Sequence, residues 1–147
     1  MNTLDSHIQQ AKMVCQQQGL RLTAIREKVL RILLQADKPL SAYDLLEKYK
    51  ASEKSGSQPM TIYRALSFLE NLSFIHKLVS TRQYVACHHL EDEHHSVYTQ
   101  FLICDHCGHI EEVPLTESLW KTLIQRAKQT NFKVEQPNLE IHGICQS

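Results

Sequence analysis

Pro59-Met-Thr-Ile-Tyr-Arg-Ala-Leu-Ser-Phe-Leu-Glu-Asn-Leu72, followed by Phe74-Ile-His-Lys-Leu-Val-Ser80 and Gln83-Tyr-Val-Ala-Cys-His88, decides how the first half of the chain folds. Pro59 suits a first helical turn, where its missing N–H costs nothing. From Met60 to Leu72 the apolar residues Ile62, Leu66, Leu69 and Leu72 recur at helical spacing, so one face of this helix is buried. The other face carries Met60, Tyr63, Arg64, Ser67 and Asn71, with Glu70 the only acid, and can approach phosphates and base edges without strong repulsion. The two following runs, rich in Val, Ile, Tyr and Phe, form a hairpin about Thr81-Arg82. A two-residue turn there sets Ser80 opposite Gln83 and His76 opposite Cys87, close enough for both of the latter to ligate one metal.

Upstream, Thr23 is an N-cap for a helix whose stripe is Leu22, Ile25, Val29, Ile32 and Leu33, and which ends before Pro39. Ser41-Ala-Tyr-Asp44 resembles a capping box with Asp in place of Glu, opening a short helix through Leu45, Leu46 and Tyr49. A polar loop, Ala51 to Gln58, separates it from the helix after Pro59. Helix, helix, helix, hairpin is the order of a winged helix. Residues 1–82 are therefore expected to form a winged-helix DNA-binding domain, although such a core also serves as a protein-binding module.

Downstream, Gln100-Phe-Leu-Ile-Cys104 and His109-Ile-Glu-Glu-Val113 read as two strands joined by Cys104-Asp-His-Cys107-Gly108, a turn of zinc-knuckle form that presents two thiolates. Leu115 to Asn131 is a helix with Leu119, Leu123, Ile124 and Ala127 turned inward, and Leu139 to Cys145 is a final strand. Zinc takes four tetrahedral ligands, and Cys145 is the natural third. A Cys-x-x-Cys pair can instead be a redox dithiol, but the return of Cys145 and the His-rich flanks favour a metal. Residues 83–147 are thus expected to be a small metal-binding α/β domain, and the whole chain to be of the α/β (α+β) class. A second constellation gathers His76, Cys87, His88, His89, His94, His95, Glu111 and Glu112. One thiolate with imidazoles and a carboxylate suits Zn²⁺, whereas Fe²⁺ and Mn²⁺ sensing uses N/O donors.

Charge supports this division. The 147 residues carry 16 Lys+Arg and 16 Asp+Glu, yet up to Arg82 there are 12 basic against 7 acidic residues, and beyond it 4 against 9, a balance of +5 followed by −5. Eight of the nine His and four of the five Cys lie from His76 onward. A basic half fits a polyanion, and an acidic half rich in soft ligands fits a cation. No apolar run nears the roughly 20 residues of a membrane span. Met1-Asn-Thr-Leu-Asp5 has no signal-peptide character, so the expected compartment is the cytoplasm, where Cys residues serve metal or redox chemistry rather than structural disulfides.

Taken together, Leu20-Arg-Leu-Thr23, Ser41-Ala-Tyr-Asp-Leu-Leu46, Pro59-Met-Thr-Ile-Tyr-Arg-Ala-Leu66, Phe74-Ile-His-Lys77, Phe101-Leu-Ile-Cys-Asp-His-Cys-Gly108 and His142-Gly-Ile-Cys145 resemble the ferric uptake regulator family, and within it the zinc-sensing branch. The resemblance spans nearly the whole chain. It implies a homodimeric repressor of zinc-uptake genes that binds double-stranded operator DNA when zinc closes its domains, with a winged helix and an α/β dimerisation domain, two Zn²⁺ per protomer, no catalysis and no small-molecule substrate. The family's structural zinc site falls on Cys104, Cys107 and Cys145, and the regulatory site on His76, Cys87, His95 and Glu112. Tyr43 and Arg64 match DNA-contacting positions, and Thr61 and Tyr63 join them.

Two departures from the family pattern stand out. The motif usually ends in a second Cys-x-x-Cys, whereas Cys145-Gln-Ser147 stops one residue short, so either another ligand, such as His142, His106, the terminal carboxylate or water, completes the site or it binds zinc less tightly. The usual position of the regulatory His is Val97 here. His95 lies on the same strand parity and is preferred to His94.

Three rival functions are weighed against the repressor. An iron- or peroxide-responsive member of the family would lack Cys87 in its regulatory site. A redox sensor would use Cys104 and Cys107. A zinc hydrolase would need an open metal position beside a base such as Glu111 or Glu112, but the chain has no His-Glu-x-x-His.

Overall fold

The computed structural model describes residues 2–52, 59–88, 99–135 and 138–146. It divides into two compact units, Met1–His95 and Ser96–Ser147.

The first unit runs α1 (Thr3–Gln17), α2 (Ala24–Gln35), α3 (Ala42–Ser52), α4 (Pro59–Asn71), β1 (Ile75–Leu78) and β2 (Gln83–Ala86). Its leading helix, α1, was not expected from the sequence. The Asn2 side chain accepts the Asp5 N–H at 2.8 Å, and Ile8, Ala11 and Cys15 form a narrow buried stripe. The helix closes on Gly19 at φ 70°, with the N–H groups of Gly19 and Leu20 donating back to Gln16 and Cys15 carbonyls, the Schellman arrangement that wants a residue without Cβ. Arg31 of α2 reaches Asp5 of α1 at 3.2 Å, tying the extra helix to the others.

The remaining caps follow the sequence. The Thr23 hydroxyl accepts from the Arg26 N–H, and at the head of α3 the Ser41 and Asp44 side chains each accept the other's backbone N–H, at 3.0 and 3.3 Å, so the capping box is reciprocal. Leu30, Leu33, Leu45, Ile62, Leu66, Leu69 and Phe74 fill one core. The Arg26 guanidinium lies 3.6 Å over the Phe68 ring, joining α2 to α4.

The hairpin register differs from the expectation. Leu78, not Ser80, pairs with Gln83, and His76 pairs with Val85 rather than Cys87. The tip is therefore Val79 to Arg82, closed by the Arg82 N–H donating to the Leu78 carbonyl at 2.8 Å. The reason is backbone sterics. Favoured two-residue turns need positive φ at their first central residue, which a β-branched Thr81 resists, whereas the longer tip places only Arg82 in that region, at φ 57°. Cys87 instead donates its N–H to the Phe74 carbonyl. The slip is two residues, the period of a strand, so His76 and Cys87 still share a face.

The second unit contains β3 (Thr99–Cys104), β4 (Ile110–Pro114), α5 (Glu117–Gln129) and β5 (Asn138–Gly143). Its sheet has the order β4-β3-β5, with β3 antiparallel to β4 and parallel to β5. Phe101 and Ile103 are buried on one face of the central strand. The final strand ends two residues before Cys145, which therefore sits on the segment leaving the sheet. Thr116 caps α5 by accepting the Leu119 N–H at 3.2 Å, and Asn131, at φ 58°, closes it. Of the expected inward face of α5, Leu123, Ile124 and Ala127 are half-buried, while Leu119 is 47% exposed, and no residue of the helix is fully buried. No helix among the described residues is long and apolar enough to cross a membrane.

Candidate metal centre and nucleic-acid face

Three sulfurs converge in the second unit. Gly108, at φ 79°, lets the chain reverse after β3, and its N–H donates to the Cys104 carbonyl at 3.0 Å while the Cys104 N–H donates to the His109 carbonyl at 2.9 Å. This tight turn sets Cys104 and Cys107 side by side. Parallel pairing of β3 with β5 then carries the chain to Cys145, and the three sulfurs lie within 4.8 Å of one another. Cys107 and Cys145 sulfurs are 3.7 Å apart. Tetrahedral zinc with Zn–S bonds of roughly 2.3 Å separates its sulfurs by about 3.8 Å, so the spacing fits a shared ion. No disulfide joins any of the five cysteines.

The electrostatics also suit a cation. Backbone N–H groups of Cys107 and Cys145 point at the Cys104 sulfur, each at 3.4 Å, and hold its thiol down at about 6. Cys145, sharing hydrogen bonds with the Cys104 and Cys107 sulfurs, is pushed up to about 11. One thiolate is thus ready-made, and crowding of sulfurs makes the third proton costly to lose until a metal neutralises the charge. Among the described residues the cluster contains no fourth donor. His106 is exposed, His142 is hydrogen-bonded to Asp105 at 2.8 Å, and Ser147 lies outside the described residues.

On the hairpin of the first unit, a ligand nitrogen of His76 and the Cys87 sulfur lie within 4.8 Å of each other. Cys87 is fully buried and His76 Nε2 is shielded from solvent, an environment in which a cation gains from both a thiolate and an imidazole. Cys15, by contrast, is a core thiol on α1 whose pKa burial pushes up. In the second unit Glu112 lies on β4 opposite Phe101, with Oε2 shielded from solvent. Its neighbour Glu111 is exposed and engaged by His109 at 3.0 Å. His88, just beyond Cys87, packs its ring at a steep angle 6.0 Å from that of His7, a contact from α1 that sequence reasoning did not foresee. His94 and His95 lie outside the described residues.

Of the four residues singled out for nucleic acid, Tyr43 on the first turn of α3 is 69% exposed, and Tyr63 on α4 is 50% exposed. Arg64 beside it is exposed, and Thr61 is half-buried. Burial of Ile62, Ala65, Leu66 and Leu69 against the core fixes which way α4 turns these side chains.

The ferric uptake regulator family model matches residues 17–142. The chain is 36% identical to the zinc uptake regulation protein of Escherichia coli over 97% of this chain and 81% of that protein. Among solved structures it resembles a zinc uptake regulator complexed with zinc and DNA, at 34% identity and TM-score 0.87 over 99% of this chain and 94% of the other. It also resembles holo XcZur, at 39% identity and TM-score 0.82 over 95% and 94%. A knuckle of three thiols, a thiol–imidazole pair on a wing and an exposed aromatic–arginine helix face thus occur in a chain that belongs to the ferric uptake regulator family.

Proposed function

We propose that the protein is a zinc-responsive transcriptional repressor which, as a zinc-loaded homodimer, binds operator DNA and controls zinc-uptake genes. The observation that carries this reading is the buried Cys87 thiol beside His76, because a thiolate in the sensing set favours zinc over the iron and manganese that other members of such a family could sense. Likeness to zinc uptake regulators over nearly the whole chain supports it.

In this reading Cys104, Cys107 and Cys145 hold a structural zinc, and His76, Cys87, His95 and Glu112 hold a second, regulatory one, giving two per protomer. Tyr43, Thr61, Tyr63 and Arg64 face the DNA. The expected division after residue 82 falls inside the hairpin, so the first unit, Met1–His95, serves as the DNA-binding domain and the second, Ser96–Ser147, as the dimerisation domain. The incompletely buried α5 supports dimerisation, since a second copy would cover its apolar stripe. A regulator of operators acts where the chromosome is, hence in the cytoplasm, and the role requires no catalysis.

The mechanism is linkage. Zinc that binds the DNA-competent form of the dimer better than the other form raises DNA affinity by the same factor. The test is metal stoichiometry per protomer together with a gel shift on an AT-rich palindrome. Two zinc ions and retardation that appears with zinc and vanishes with a chelator are expected; retardation indifferent to zinc would overturn the reading.

A further inference from the structure

Cys107 and Cys145 stand 38 positions apart in sequence, so the three-sulfur site exists only if the end of β5 is held in register against the knuckle turn. The β3–β5 ladder ends at the Cys104–Gly143 pair. Past it, the Asp105 N–H donates to the Gly143 carbonyl at 2.9 Å. One side-chain contact continues the connection: the His142 imidazole lies with Nδ1 2.8 Å from Asp105 Oδ1. An ionised carboxylate only accepts, so Nδ1 carries the proton and donates it. Asp105 sits between the two knuckle cysteines, and His142 three residues before the third.

We propose that Asp105 and His142 form a clasp that positions Cys145 against Cys104 and Cys107 for zinc, without themselves ligating it. This deepens the reading of Cys104, Cys107 and Cys145 as a zinc site and rests on it. The His142 and Asp105 side chains are 39% and 60% exposed, so the pair adds little to global stability. Its effect is local: it fixes where the chain leaves β5, and with it the direction of the Cys145 N–H to the Cys104 sulfur. Groups that orient metal ligands in this way commonly change metal affinity by about 10–100-fold when removed.

The clasp can be separated from ligation by side-chain isosteres in the full chain. Asn places its amide nitrogen near the position of an imidazole Nδ1, and its carbonyl oxygen can replace one oxygen of Asp. Zinc retention is measured by competition with a chromogenic chelator, and the sulfur-to-metal charge-transfer absorption of the Co²⁺-loaded protein reports the number of thiolates. Asp105→Ala and His142→Ala should each weaken zinc retention by about tenfold or more while the Co²⁺ form keeps its three-thiolate intensity. Asp105→Asn and His142→Asn should restore most of the loss. Wild-type retention in both alanine variants overturns the clasp. So does a His142→Asn protein as leaky as His142→Ala with an altered Co²⁺ spectrum, which would make His142 a ligand through Nε2. If Cys145→Ser leaves zinc retention and charge transfer unchanged, the three-thiolate site itself is wrong and the clasp falls with it.

Discussion

The two thiol sites of this protein are built in opposite ways. The knuckle gathers three sulfurs at the rim of a sheet, with Cys107 and Cys145 exposed, and backbone N–H groups already prepare one of them as a thiolate. The wing buries a single sulfur, Cys87, beside one imidazole under the core of the first unit. Many thiolates on a short turn favour tight, lasting occupancy, whereas one thiolate among harder donors gives a weaker site that can empty and refill. If the wing pair is the sensing site, as proposed, the number of sulfurs rather than exposure separates it from the knuckle.

The sharpest way to break this contrast is at the knuckle. Cys104→Ser or Cys145→Ser should remove about one zinc per protomer and lower the melting temperature, since metal bound only to the folded form at a thousand times its dissociation constant contributes about 4 kcal/mol. Elemental analysis and thermal denaturation with and without chelator would measure both. A variant that keeps its zinc would show that the exposed sulfurs do not hold it.

At the wing the expected effect is on function rather than fold. Cys87→Ala should stay folded with the knuckle metal in place but lose zinc-dependent operator binding, a coupling typically worth about 1–3 kcal/mol, or 5–150-fold. His76→Ala and Glu112→Ala should follow it. Cys87→Asp should move selectivity toward Mn²⁺ or Fe²⁺, which a titration with each metal in the gel shift would read.

Arg64→Ala leaves both thiol sites intact, so it isolates the DNA face. If Arg64 reads a guanine, its loss should cost about 1–3 kcal/mol and relax one base pair; if it contacts a phosphate, the salt dependence should flatten by about one unit of slope. Unchanged affinity and slope would mean that α4 does not face DNA.

The smallest expected effects compare the two units through their helix caps. Thr23→Ala and Thr116→Ala each remove a hydroxyl that accepts one orphan N–H and should each cost about 1 kcal/mol in denaturant unfolding. A much larger loss at Thr116 would reveal that α5, though not fully buried here, is essential to the stability of its unit.

What the sequence disclosed depended on whether the signal was local. Thr23, Ser41 with Asp44, and the stripe Ile62, Leu66 and Leu69 are neighbours in sequence, and the structure puts all of them where expected. The knuckle was legible because two of its cysteines share one turn. Helix α1 escaped because its buried stripe is only Ile8, Ala11 and Cys15 among Gln residues, with a small Ala and a Cys carrying little hydrophobic contrast. The inward face of α5 was assigned from periodicity, which shows that a stripe wants cover but not what supplies it. The clasp of Asp105 with His142 escaped too, being set by parallel pairing of strands far apart in the chain. Only the placement of Asp105 between two cysteines and of His142 just ahead of a third could have hinted at it.

The register of the wing has a consequence for how this hairpin can change over generations. Sliding β1 against β2 by two residues, through a longer or shorter tip, brings His76 from a diagonal to a directly opposed position relative to Cys87 and keeps both on one side. Sliding by one sends them to opposite sides. If His76 and Cys87 share a metal, as proposed, insertions and deletions at Val79 to Arg82 that shift the pairing by two residues keep the pair together and those that shift it by one separate it, a parity rule on length variation at the tip.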